Sequence, residues 1–188
     1  MRKLMLGVVG LALAVLLSSC GLLPFGSGVI LDDSHEQADA RMEQIGAAFN
    51  DGDPAALKAL FSPRALEQAP DIDAGLEYLL SFFPEGGVTW ERDAIGSEGE
   101  NDGAGNKTRM LRANYKLIVG GEEYRLFFAD ITVNDVLDPE NVGLYAIGVT
   151  PWSDMNQSDA AKLFSAWAGA IHYQGATGNG YPGVYVPE

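Results

Sequence analysis

Cysteine occurs once in the 188 residues, at Cys20, and histidine twice, at His35 and His172. One thiol can form neither an internal disulfide framework nor a thiolate zinc site. A folded domain of this sequence must therefore hold itself together by its core. Neither histidine has a second histidine at helical spacing, so the paired-histidine metal pattern is missing. Positive charge is scarce as well: 12 Lys and Arg stand against 26 Asp and Glu, a net charge of −14. Residues 1–19 hold two of the basic residues and none of the acidic ones, so the chain from Cys20 onward carries −16. Nucleic-acid binding is disfavoured, and no nucleic-acid partner is expected, because such binding rests on neutralising phosphates with cations. Adsorption to anionic lipid headgroups is disfavoured for the same reason. No Gly-x-Ser-x-Gly elbow occurs. Gly120-Gly121 and Gly178-x-Gly180 lack the strand–loop–helix setting of a phosphate loop. No cofactor is expected, and no internal repeat is visible.

Long apolar runs are also missing, with one exception. After Met1-Arg2-Lys3, residues Leu4 to Leu17 run uncharged for 14 residues. A membrane-spanning helix needs about 20. The length suits an export signal. Small residues follow, and Leu17-Ser18-Ser19-Cys20 resembles the lipobox of bacterial lipoproteins at every position. The resemblance implies a signal peptide over 1–19 and a lipid-modified Cys20. The domain would then be held outside the cytoplasm, at the cell membrane or envelope. One acyl chain binds membranes marginally, and two or more anchor stably. Residues 20–31 read as the lipidated cysteine and a tether. Gly21, not Asp, follows the cysteine, which is similar to lipoproteins without an inner-membrane retention signal.

About 155 residues remain, enough for one domain with a sound core, expected over 32–188. Asp33 or Ser34 can cap a first helix, with Ala38, Met42, Ile45 and Phe49 on one apolar stripe. Asn50-Asp51-Gly52 ends it. Asp53-Pro54 and Ser62-Pro63 each give a cap followed by proline at the first helical position. Asp71 caps a fourth helix with Ile72, Leu76, Leu79 and Phe83 inward. The period then changes. Val88 to Ile95 reads as a strand and Ser97 to Lys107 as a polar loop. Arg109 to Val119 alternates with Met110, Arg112, Asn114 and Lys116 on the wet face. Gly120-Gly121 predicts a hairpin turn. Glu123 to Val133 is apolar on both faces and should be central. Val142 to Thr150 is the next strand. Ser158 opens a last helix with Leu163, Phe164, Trp167 and Ile171 inward. The Gly/Pro-rich tail, 174–188, holds an edge strand at Val184–Val186.

The predicted class is α+β: N-terminal helices, a curved antiparallel sheet of four or more strands, and a C-terminal helix. The order resembles the cystatin-like, nuclear transport factor 2-like cone, in which a sheet wraps a helical layer. Residues 32–66, with 138–149, are similar to a bacterial lipoprotein family known only as a domain of unknown function. That resemblance implies the cone and carries over no activity or site residue.

In such a cone Asp130 is the candidate base. It lies in the apolar stretch Phe127-Phe128-Ala129-Asp130-Ile131-Thr132, where desolvation raises a carboxyl pKa. Tyr124 shares its strand face by parity, and Tyr115 or Tyr145 could face it across the sheet. The competing reading pairs Asp130 with Arg112 or Lys116, or leaves it at an open edge. Trp90, Tyr115 and Phe128 are pocket candidates, and Trp152 and Trp167 could also line a pocket or fill the core. His35, among Asp32, Asp33, Glu36 and Asp39, offers at most a weak cation site on a solvated helix start. The stretch Glu98-x-Glu100-x-Asp102-Gly103 imitates half of a calcium loop, but position 12 is Arg109. No metal site is expected. The leading expectation is a lipid-anchored, non-catalytic domain that binds an envelope protein or small ligand. The alternatives are an isomerase- or cyclase-like enzyme using Asp130, and a sensor accessory regulating a neighbour.

Overall fold

Four helices come first, and local chemistry sets where each begins. Helix α1 spans Ser34–Asp51, α2 Pro54–Lys58, α3 Pro63–Gln68 and α4 Ile72–Ser81. Asp53 accepts from the amides of Ala55 and Ala56, Ser62 from Ala65, and Asp71 from Ala74. Each cap satisfies amides that have no partner inside the helix. Gly52 closes α1 at φ 59°, the left-handed conformation that glycine adopts without steric cost. Asp33 stands at the first cap position but does not cap, because its carboxylate is spent elsewhere.

The computed structural model describes residues 33–101, 107–134, 139–154, 157–172, 175–176 and 181–186, which belong to one unit beginning at Asp33. The expected signal peptide, Cys20 and tether lie outside the described residues. Strand β1 is Val88–Asn101, β2 Lys107–Val119, β3 Glu122–Asn134 and β4 Gly143–Pro151. Short 3₁₀ turns, Pro139–Asn141 and Trp152–Asp154, flank β4. Helix α5 is Asp159–Gly169, capped by Ser158. A small β5–β6 ladder (Ile171–His172, Gly175–Ala176) follows, and then β7, Gly183–Tyr185.

The main sheet runs β1-β2-β3-β4-β7, antiparallel except for β7, which lies parallel to β4. The α+β class therefore holds: helices, a curved, mostly antiparallel sheet, and a helix after it. β3 is central as expected and is buried on both faces. Gly120 and Gly121 both have positive φ and make the two-residue β2–β3 turn.

Three expectations need correction. β1 does not stop at Ile95. It pairs with β2 as far as Asn101, so Ser97 to Asn101 is strand and not loop. Cross-strand hydrogen bonding outweighs the local preference of a polar, Gly-containing stretch. Met110 is 1% exposed and not on a wet face, because the side of β2 that it shares with Arg112 is covered by α5, where Arg112 donates to the Ala168 carbonyl. Leu163 is 58% exposed, since α5 buries Ala161, Phe164, Trp167 and Ala168 instead.

The two sheet faces have different covers. Ala113, Tyr115 and Leu117 oppose Phe128, Leu126 and Tyr124, and α1 lies over this face with Ala38, Met42, Ile45 and Phe49 inward. The other face carries Arg112, Arg125, Phe127 and Gly148, and α5 lies over it. Trp167 meets Phe127 edge-on at 5.8 Å, and the Arg125 guanidinium stands over Phe164 at 5.5 Å. The outer edge of β4 is occupied by β7 and by a bridge from Phe61 to Leu144.

Candidate functional site

The polar side of α1 is tied to three successive strands. At its start, Arg109 of β2 donates from Nη1 to Asp33 (2.7 Å), from Nη2 to Gln37 (2.6 Å) and from Nε to Thr132 (3.1 Å). One turn on, Arg92 of β1 grips the Asp39 carboxylate, which also accepts from the Tyr115 hydroxyl at 2.7 Å. The Arg92 guanidinium holds the Asp39 carboxyl below its usual range. Arg92 Nη1 lies 3.3 Å from His35 Nδ1, so a guanidinium fills the place where a cation bound by His35 and Asp39 would sit.

Next comes Arg41, whose Nε donates to Asp130 Oδ2 at 2.8 Å and whose Nη2 donates to Oδ1 at 3.2 Å. Nη1 donates to Gln44 at 2.8 Å. The Asp130 side chain is 3% exposed and that of Arg41 20%. Burial pushes the Asp130 carboxyl up, and the Arg41 bonds pull against it, with a net rise. A recess of about 290 Å³ opens beside the pair, lined by Gln37, Gln44, Ile131, Thr132 and Val142 among others. The partner is thus neither Arg112 nor Lys116. Both point to the opposite face of β2 from Leu111, which is the residue paired with Asp130.

Tyr124 is far from this carboxylate. It shares the face but lies six residues along β3, roughly 20 Å at about 3.3 Å per residue. Its hydroxyl donates to Glu122 at 2.7 Å, and burial followed by that bond pushes its pKa up to about 12. Tyr145 is the extra residue where the β3–β4 register shifts, between the partners of Ala129 and Asp130, and is buried. Trp90, Tyr115 and Phe128 form an aromatic row across β1, β2 and β3. Trp90 meets Tyr115 edge-on at 5.4 Å, and Tyr115 stacks on Phe128 at 5.8 Å. Tyr115 and Phe128 are fully buried, so this row packs α1 against the sheet. Trp167 is core, while Trp152 lines a second recess with Tyr124.

Glu98 does not face a cation loop. It accepts from Arg112 at 2.9 Å and lies 3.1 Å from His172 Nδ1. Burial works against its ionised form, but these two bonds outweigh it and hold its pKa low. Asp102 and Gly103 lie outside the described residues. Among the described residues, no three His, Cys, Asp or Glu side chains gather as a metal site.

Residues 44–155 match the family described as Domain of unknown function (DUF5104). The chain belongs to that family. The DUF5104 match runs from the middle of α1 past the end of β4, and so takes in Asp130 and the strands around it. It overlaps the residues that carried the resemblance to a family of unknown function. Neither a curated protein nor a solved structure matches the chain.

The sequence reading missed Arg41, Arg92 and Arg109. A signal for Arg41 was present: Gln37, Arg41 and Gln44 stand at i, i+4 and i+7 beside the apolar stripe of α1, a polar face aimed at the same sheet.

Proposed function

We propose that this DUF5104 protein is a lipid-anchored protein of the cell envelope whose folded domain is a non-catalytic binding module. The observation that carries the second half is the double bond from Arg41 to Asp130. A general base must present an accessible oxygen within hydrogen-bond reach of the substrate's proton. Both oxygens of Asp130 already accept from one guanidinium, and nearly all of the side chain is out of solvent. At the recess Gln44 and Thr132 are engaged by arginines only as acceptors, so the Gln44 amide and the Thr132 hydroxyl suit donation to a polar ligand or partner loop. The anchoring half rests on Leu17-Ser18-Ser19-Cys20 behind its 14-residue uncharged run. The cystatin-like, nuclear transport factor 2-like cone is the fold relationship that accompanies this reading. Among the described residues no helix is long and apolar enough to cross a membrane.

Two experiments test it. Cys20→Ala should leave an unprocessed precursor, where the parent protein migrates as a cleaved, lipid-bearing form in the membrane fraction. Unchanged processing of Cys20→Ala would refute the anchor. Native mass spectrometry of the protein extracted in mild detergent from its own host, together with crosslinking in the envelope, should reveal a bound ligand or partner protein. Asp130→Asn should leave that association within a few-fold.

A second reading is favoured by the raised Asp130 pKa at the edge of a recess. Under it, Asp130 acts as a proton-transfer base in an isomerase- or cyclase-like enzyme. Abolition of a turnover by Asp130→Asn, with folding intact, would move the conclusion there.

A further inference from the structure

Where β3 starts and β4 stops, Phe82, Tyr124, Pro151 and Trp152 bound a recess of about 560 Å³ together with Glu122, Glu123 and Ser153. The aromatic walls are held in place. Phe82 meets the Tyr124 ring edge-on at 5.8 Å and Phe83 does so at 5.1 Å. The Tyr124 hydroxyl is engaged with Glu122. A cation already lies beside this recess: Lys116 Nζ is 5.3 Å from the centre of the Trp152 ring and 2.6 Å from Glu123 Oε1. The protein's own ammonium therefore uses one aromatic face and one carboxylate of the site.

We propose that the recess formed by Phe82, Tyr124, Trp152, Glu122 and Glu123 binds an organic ammonium group. Ring faces attract such cations through their negative quadrupole. The two carboxylates repel anions, and their charge beside the ring faces favours a cationic guest over a neutral one. Metal ions of the calcium or magnesium kind need a shell of oxygen ligands, which aromatic walls do not supply. The volume falls within the range of small-ligand pockets, about 300–1,000 Å³. Lys116 is then an internal competitor, holding Glu123 and one face of Trp152 until a guest arrives. The site is distinct from the Asp130 recess and depends on neither half of the proposed function.

The test is calorimetric titration, with tryptophan fluorescence alongside, of the full-length protein in non-ionic detergent. Tetramethylammonium and 1,5-diaminopentane are the probes, and sodium chloride at matched ionic strength is the control. The expected result is saturable binding of at least one organic cation, with no such response to sodium. Trp152→Leu should weaken binding tenfold or more. Lys116→Met, which keeps the stem and removes the charge, should strengthen it several-fold. A tighter tetramethylammonium complex assigns the site to quaternary headgroups, and a tighter diamine complex assigns it to amines that hydrogen-bond to the glutamates. Lack of saturation by both probes, or failure of Lys116→Met to strengthen binding, overturns the proposal. Thermal melts establish that the variants fold. If Trp152→Leu does not, Lys116→Met alone decides.

Discussion

Replacing Arg41 by Met would leave the Asp130 carboxylate buried without its cation. Breaking one side of such a pair costs about 3 kcal/mol at pH 8, the low end for a buried pair because a fifth of the Arg41 side chain is exposed. The cost should depend on pH, and the sign follows from the direction of the shift. Burial raises the Asp130 pKa above its ordinary 3.8, and removing Arg41 raises it further. The folded state then holds a proton that the unfolded chain releases. Stability is greatest below the unfolded pKa and falls as pH rises through the folded one. Urea unfolding should therefore show a smaller deficit for Arg41→Met at pH 5 than at pH 8. Equal deficits would mean that Asp130 is not buried as described. Asp130→Asn keeps the shape and leaves Arg41 partly solvated, so its cost should be nearer 1–2 kcal/mol. At this scale the sequence disclosed the burial of Asp130, because its neighbours are apolar. It did not disclose the partner. Arg41 lies 89 residues away, and only the docking of α1 on the sheet brings the two together.

Among the elements, α5 depends on a close approach that one glycine permits. A Cβ on Gly148 would stand 2.7 Å from Trp167 Cζ3 and 3.0 Å from both Phe164 Cε2 and the Tyr185 carbonyl oxygen. Gly148→Ala must push the helix or β7 outward, at about 1–3 kcal/mol for overpacking. A lower melting temperature with a changed near-ultraviolet signal from Trp167 is the expected outcome, and an unchanged melt would show that α5 does not seat there. The helix starts were legible because Asp53-Pro54, Ser62-Pro63 and Ser158 carry their own caps. The far end of β1 was not. Gly96, Ser97 and Gly99 are poor strand formers, and they are extended only because β2 pairs with them. Leu163 misled for a related reason: helical spacing alone does not say which of two apolar arcs meets the sheet.

The whole molecule was legible in class, since helices precede an alternating stretch with its hairpin turn. The covering of the second sheet face by α5 and the parallel return of β7 were not, because both rest on contacts between distant segments. The arrangement also has a mechanical side. Helix α1 is the described element that follows the N-terminal segment, and it is fastened to β1 through Arg92 and Asp39, to β2 through Arg109 and Asp33, and to β3 through Arg41 and Asp130. A force directed along the α1 axis would be shared by these three fasteners as shear, whereas a force directed across that axis would load the Arg109 clamp alone and open the pairs one after another.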